Sequence, residues 1–413
     1  MLIRKLRIGS PGIPLLLLTL EIAVWTEMDL FAPALPDIMH YFKTTEEVIQ
    51  WTLSFNFFGF FMASLLCGAF SDAFGRRVVL LVGTALFVLG SLLTVTATQV
   101  EIFLLGRLIQ GIGVSGPGVV VMAILADLYQ GTLFIRWNSI LNCLISSTMA
   151  LAPIAGAYLT ETYGWRSNFA VISLMATLGF ISVWLWVPET LDSQNRKSLS
   201  LRLLVSDYWR LLKSKKFMAA MLGVCFFVTP YFVFVGVISL LFMNELKLSM
   251  EEYVCYQASI VAVFSLLSLC VSVFGNYLNL DWLMKVSVCG GAVSAIALVL
   301  HGLFLPDDAL SLTGLMAVLA AALVVPCSVL FVWAIAVYPD LQASASALFQ
   351  SVRMFLLSIG TAVAGAAYNG FYMPIGLITG FCVLIAVWLI VPLLREKTNA
   401  QNTSRVASAA CAS

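Results

Sequence analysis

Three carboxylates, Glu21, Glu27 and Asp29, stand in the first apolar stretch of the chain, between Gly12 and Pro36. At about 1.5 Å rise per residue that stretch spans the roughly 30 Å hydrocarbon core of a bilayer, so at least one carboxylate lies well inside it. A carboxylate at the bilayer centre costs on the order of 3 kcal/mol, relieved by a water-filled cavity, a basic partner or a proton. Each remedy points to transport. At about 100° per residue Glu21 and Asp29 differ by about 80° and line one broad face at two depths. Glu27 sits elsewhere, about 120° from Glu21 and about 160° from Asp29, and an interfacial position is the alternative for it.

A basic group shares this depth. Arg107 lies about 9 Å into its span and Asp29 about 10 Å in from Pro36, so an Arg107–Asp29 pair is open to them. The guanidinium keeps its charge in any surroundings, so a substrate cation or a water path that altered the balance would release or admit a proton. The alternative is an Arg107 that snorkels to the outer interface. Gln110, one turn along, can hydrogen-bond in the same cavity.

The elements that must hold these groups follow from composition. The chain has 413 residues, 61% hydrophobic and 10% charged, with a mean hydropathy of +1.00, whereas soluble domains carry about 25% charged residues. This is the composition of an integral membrane protein, and long unbroken apolar runs select helices over a β-barrel. The fold class expected is an all-α membrane protein of twelve transmembrane helices in two six-helix bundles.

The twelve apolar segments are 12–36, 47–70, 78–98, 101–126, 135–160, 168–188, 217–243, 252–274, 283–304, 311–337, 344–366 and 371–394. They give an N-terminal bundle over 1–188, a cytoplasmic linker over 189–216 with an amphipathic helix, a C-terminal bundle over 217–394 and a disordered cytoplasmic tail over 395–413. Placing both termini in the cytoplasm puts 18 of the 22 Lys and Arg residues, Arg353 among them, on or near that side. Lys43, Arg166 and Lys247 fall outside and Arg107 falls within a helix, a strong positive-inside bias. The basic start of the chain resembles a signal peptide without a small-residue cleavage site, and is read as a retained cytoplasmic end.

Between the second and third segments runs Gly68-Ala-Phe-Ser-Asp72-Ala-Phe-Gly75-Arg76-Arg77. Its glycines permit close helix approach and a tight reversal, and Asp72 can pair with an arginine, a clasp that a two-state carrier would make and break. The fifth segment carries Ala152, Pro153 and Gly156, small residues that let helices approach closely around a missing backbone donor. Asn56, Asn138, Asn142, Tyr231, Phe232 and Trp333 are the candidates for substrate contact, where aromatics would tolerate varied apolar cations. Nine cysteines without CxxC spacing and two histidines offer no metal cluster and no structural disulfide. No cofactor and no nucleic-acid partner are expected.

On these residues the chain resembles the major facilitator superfamily, and within it the twelve-helix drug/proton antiporters of the Bcr/CflA kind. Gly68, Asp72, Gly75, Arg76 and Arg77 match the signature loop, and Leu105-Gly-Arg107 with Gln110, Gly111 and Gly113 looks like the membrane-embedded arginine motif. Ala152, Pro153 and Gly156 are similar to the antiporter motif, with alanine in place of the usual glycine before the proline. Asp127-Leu-Tyr, Gly164-Trp165-Arg166 and Pro188-Glu189-Thr190 are also typical of the group, while the second-half loop from Gly275 to Asp281 is degenerate. Glu21 and Asp29 resemble the paired helix-one acids of multidrug members, which implies proton exchange and cationic-drug recognition at both.

The expectation is a monomeric multi-pass protein of the bacterial inner membrane, its partners the lipid bilayer, protons and a small lipophilic substrate. It would export cationic or zwitterionic compounds against inward proton flow. A dedicated metabolite, siderophore or nutrient carrier of the same fold, working even as a symporter, is the alternative. A non-transporting sensor or scaffold would call for a sizeable soluble domain.

Overall fold

The computed structural model describes residues 12–129, 131–192, 194, 196, 199–274, 277–305 and 307–410, apart from the side chains at 131, 132, 134, 135, 138, 139, 142, 146, 272, 339 and 397–410. The protein is all-α. Among the described residues eleven helices are long and apolar enough to cross a membrane. Before them stands α1 (Gly12–Asp29), whose 18 residues include the three acids.

The first segment does not end at Pro36. After α1 a 3₁₀ turn (Ala32–Ala34) carries Pro33, and α2 (Leu35–Phe42) then continues to Lys43, which is left-handed at φ 50°. Pro33 and Pro36 lack backbone donors, so the chain turns there and resumes as helix instead of stopping. Next come α3 (Glu46–Phe74), α4 (Arg76–Thr96), α5 (Val100–Leu128), α6 (Gly131–Tyr163) and α7 (Arg166–Trp186). Thr45 caps α3 by accepting from the Val48 amide at 3.4 Å. Between α3 and α4 the chain reverses at Gly75, whose φ of 105° excludes ordinary side chains.

The linker forms α8 (Leu201–Leu212), capped by Ser200. Leu203, Val205 and Trp209 leave most of their surface exposed, as on a helix lying at an interface. Its Tyr208 hydroxyl donates to the Leu65 carbonyl at 2.8 Å and docks α8 against α3. Burial pushes the Tyr208 phenol up to about 12, with the Asp207 charge adding to it, so this donor stays protonated at physiological pH.

The remaining helices are α9 (Lys215–Ser239, with a π turn at Leu240–Glu245), α10 (Met250–Phe274), α11 (Leu280–Phe304), α12 (Ala309–Ala336), α13 (Gln342–Ala367) and α14 (Met373–Ala410). The backbone of α14 stays helical to Ala410, past the disordered tail expected from 395, because no glycine or proline follows Pro392. Large apolar side chains such as Leu178, Phe381 and Trp388 are exposed on the outer helices, as a lipid-facing surface requires.

Helices α1 to α7 pack mainly on one another, as do α9 to α14, and two seams join the sets, α3 against α13 and α6 against α10. Along the first seam hydroxyls pair across helices, Ser54 with Thr361 at 2.8 Å and Ser64 with Ser351 at 2.7 Å. Ser358 donates to the Ser54 carbonyl at 2.8 Å, and the Gln50 side-chain amide donates to the Gly236 carbonyl at 2.5 Å. Small hydroxyl residues let two backbones come close while each polar group is satisfied away from water.

Candidate functional site

Helix α1 holds each acid in different surroundings. Glu21 lines a cavity of about 1420 Å³ together with Trp25 and Met28, which follow it by four and seven positions and so share its face. Its Oε2 accepts from the Trp25 indole at 3.1 Å. Asp29, turned away from that face, is not part of the wall. It is 3% exposed, and among the described residues its carboxylate forms no hydrogen bond. The phenols close enough to feel its charge are Tyr231 on α9 and Tyr253 on α10, both from the other set of helices.

Glu27 is the partner of Arg107. Their side chains form a fully buried ion pair, which replaces the Arg107–Asp29 pair admitted by equal depth. Pro36 is not the helix end: the chain runs on through α2, so Asp29 lies deeper than a count from Pro36 gives. Nor does Arg107 snorkel: it is 0% exposed, and its guanidinium carbon stands 4.2 Å from the Phe31 ring centroid.

The pair is embedded in hydrogen bonds. Arg107 Nη1 donates to Gln110 Oε1 at 2.8 Å, Nε donates to the Thr52 carbonyl at 3.3 Å, and Gln110 passes a bond on to Ser91 at 2.8 Å. Asn56 Nδ2 donates to Glu27 Oε1 at 3.1 Å and to the Arg107 carbonyl at 3.2 Å. Asn56 therefore belongs to this network and not to the cavity wall, where the sequence had put it as a substrate contact. Glu27 Oε2 and Arg107 Nη2 remain buried without partners, so the network is not saturated.

Of the other candidates, Tyr231 and Phe232 do line the cavity, in edge-to-face contact at 5.3 Å. Trp333 is not part of the wall. The side chains of Asn138 and Asn142 lie outside the described residues. Trp25 and Tyr253 do not stand out in the sequence as an indole and a phenol among many, although the i+4 spacing of Trp25 from Glu21 is a usable signal.

The cavity reaches from Glu21 to α8 and the α3–α4 turn. At that end Arg76 Nη1 donates to Asp72 at 2.6 Å and to Ser71 at 3.0 Å, its Nε donates to Asp127 at 3.0 Å, and its backbone amide donates to Glu189 at 2.9 Å. Every hydrogen bond described for Arg76 thus stays within 71–189, so here it braces one set of helices. Arg77 Nη2 ties α4 to the Trp184 carbonyl at 2.6 Å. Gly68 lines the cavity, and a Cβ there would meet open space, so the close approach expected of it is not made in this conformation. Gly156 does make one: a Cβ there would run into the Leu30 carbonyl, so this glycine, beside buried Ala152 and Pro153, seats the break after α1 on α6.

Such an arrangement, long apolar helices around a large cavity with an acid in its wall, is that of a multi-pass membrane transport protein. The Major Facilitator Superfamily profile matches residues 17–361, and the chain belongs to that family. A bicyclomycin resistance protein homolog of Haemophilus influenzae is 26% identical over 371 residues, 87% of this chain and 90% of that protein. The multidrug transporter MdfA of Yersinia pestis is 26% identical over 247 residues, 60% of each chain. Among solved structures, a partially occluded inward-open xylose transporter XylE from E. coli superposes with a TM-score of 0.71 at 15% identity, covering 92% of this chain and 97% of that one. The human organic anion transporter MFSD10 gives 0.66 at 18% identity, covering 92% and 99%. At such identities these structures establish the fold alone. The chain is a secondary transporter of small molecules.

Proposed function

We propose that this transporter is proton-coupled, with the α1 acids carrying the protons and alternating access moving amphipathic small molecules across a bacterial inner membrane. The observation that carries the reading is the different surroundings of three acids on one helix. Glu21 lines the cavity, Asp29 is buried within electrostatic reach of Tyr231 and Tyr253 from the opposite helix set, and Glu27 is held by Arg107. A fixed ion pair keeps α1 in place while the other two carboxylates are left to exchange protons.

In this reading the halves 1–188 and 217–394 rock about the seams, both termini are cytoplasmic, and the cavity end at Arg76 and α8 faces the cytoplasm. A substrate entering from that side meets an ionised Glu21. When the cavity opens outward, a proton replaces the substrate on the carboxylate, and an inside-negative potential assists net inward charge by about 2.3 kcal/mol per 100 mV. Gly68 and Asp72 close against the other half in the outward-facing state.

Two readings of the substrate follow. Export of lipophilic cationic or zwitterionic drugs, in the manner of the Bcr/CflA antiporters, is supported by the names of the two curated relatives and by the apolar and aromatic part of the wall. A dedicated carrier for one metabolite, siderophore or nutrient needs no breadth of recognition. It is favoured by the wall holding an acid and a base, Glu21 and Arg353, which suit one defined ligand. The fold also serves a D-xylose-proton symporter. Proteoliposomes with an entrapped pH dye separate the two by how many unrelated compounds move protons, and they give the direction: substrates that drive protons out of substrate-loaded vesicles mean symport, and those that draw protons in mean antiport. Transport with no proton movement in either direction would remove the proposal.

A further inference from the structure

Arg353 is a second arginine inside the bundle. It stands 11 residues into α13, about 16 Å along the helix axis at the usual rise. That position withdraws it from the cytoplasmic charge count in which the sequence had placed it. Its side chain lines the central cavity, as does Gln350 one turn before it. Among the described residues it forms no hydrogen bond and no ion pair. The ionisable groups near it are the thiols of Cys225 on α9 and Cys327 on α12, which bring no opposing charge of a carboxylate.

A guanidinium within the bundle and away from any carboxylate is as costly as the acids of α1, and only an anion or water in the cavity relieves it. Five N–H donors in a planar fork match a carboxylate on two oxygens at once. Glu21 stands in the same wall but on the other helix set, with Tyr231 and Phe232 contributing apolar surface to it. Apart from the charged groups at the Arg76 and α8 end (Asp72, Arg76, Asp207 and Asp340), the wall holds one acid and one base, Glu21 and Arg353, with no ion pair between them among the described residues, and the two describe a site for a molecule that carries both charges.

We propose that Arg353 is the anion-recognition residue of the cavity, and that the substrates are amphipathic zwitterions whose carboxylate meets Arg353 while the cationic end meets Glu21. The assignment deepens the carrier reading and rests on it only in taking the cavity for the substrate site. Arg107 cannot serve this purpose, since Glu27 already occupies it.

The test uses rhodamine B and rhodamine B ethyl ester, dyes with one cationic ring system that differ in whether the carboxylate is free. Binding of each to the purified full chain in detergent is followed by fluorescence anisotropy, without any gradient. A charge-assisted hydrogen bond predicts that wild-type protein holds the acid about tenfold or more tighter than the ester. Arg353→Gln brings the ratio close to one, and Arg353→Lys, which keeps the charge but not the two-pronged fork, gives a ratio between those of Arg353→Gln and the wild type. Equal affinities in the wild type, a preference that survives Arg353→Gln, or no binding of either dye overturns the assignment. Should Arg353→Gln elute aggregated, the wild-type ratio and Arg353→Lys decide. Because no pH gradient is involved, a failure of proton coupling in vesicles leaves this result standing, and a ratio of one beside intact coupling sinks only the role of Arg353.

Discussion

Glu27 and Arg107 form an ion pair with neither side chain open to solvent, and Asn56, Gln110, Thr52 and the Phe31 ring close around it. Removing one member of such a pair strands a buried charge, at a cost of about 3–5 kcal/mol, whereas replacing both by apolar groups is often nearly neutral. Arg107→Met is therefore expected to lower the thermal unfolding temperature in detergent sharply, and Glu27→Met/Arg107→Met to recover most of the loss. A double variant no more stable than the single one would contradict the structural part assigned to the pair.

The two glycines of the motifs separate stability from turnover. Gly156→Ala brings a Cβ onto the Leu30 carbonyl and is expected to destabilise the fold and abolish transport together. Gly68→Leu enters open space in this conformation, so the melting temperature should stay near that of the wild type while transport is lost, because closure at the Arg76 end is blocked. Thermal melts and vesicle uptake on the same preparations check both.

The hydroxyl seam between α3 and α13 supplies a lock. In a background with the nine native cysteines replaced, Ser54→Cys/Thr361→Cys places two thiols where the hydroxyls now meet at 2.8 Å. Oxidation should cross-link them and stop transport, and reductant should restore it. Full transport by cross-linked protein would mean that this seam does not open during the cycle.

Tyr208 gives a pH signature outside the membrane. Its phenol is raised to about 12 by burial first and by Asp207 second, while an unfolded tyrosine titrates near 10. The folded state then holds its proton over the interval in which the unfolded state loses it, so this contribution is complete below pH 10 and fades between pH 10 and about 12. Tyr208→Phe should cost about 1 kcal/mol at neutral pH through the lost bond to Leu65 and flatten the alkaline decline. An unchanged alkaline profile would show that another group is responsible.

Much of this was legible in the residues. Apolar length marks the spans, and an acid or an arginine inside an apolar run marks a buried site whatever its partner turns out to be, as with Glu21, Asp29 and Arg107. The partner was not legible, because it depends on how α1 is rotated against α5 and on where the helix breaks. Pro33 and Pro36 look like an end in sequence, but Leu30 and Gly156 make a seat for the break, so the chain turns and continues. Arg353 obeys the same rule as Arg107, and was hidden only by counting it with the basic residues of the nearby cytoplasmic end.

The central claim is that Glu21 and Asp29 carry the exchanged protons, and the most direct measurement is substrate-induced proton release from purified protein in weakly buffered detergent, read with a pH-sensitive dye. Wild-type protein should release protons when a compound it is found to transport in vesicles is added, Glu21→Gln and Asp29→Asn should each release fewer, and the double variant none. Wild-type release from the double variant would contradict the account.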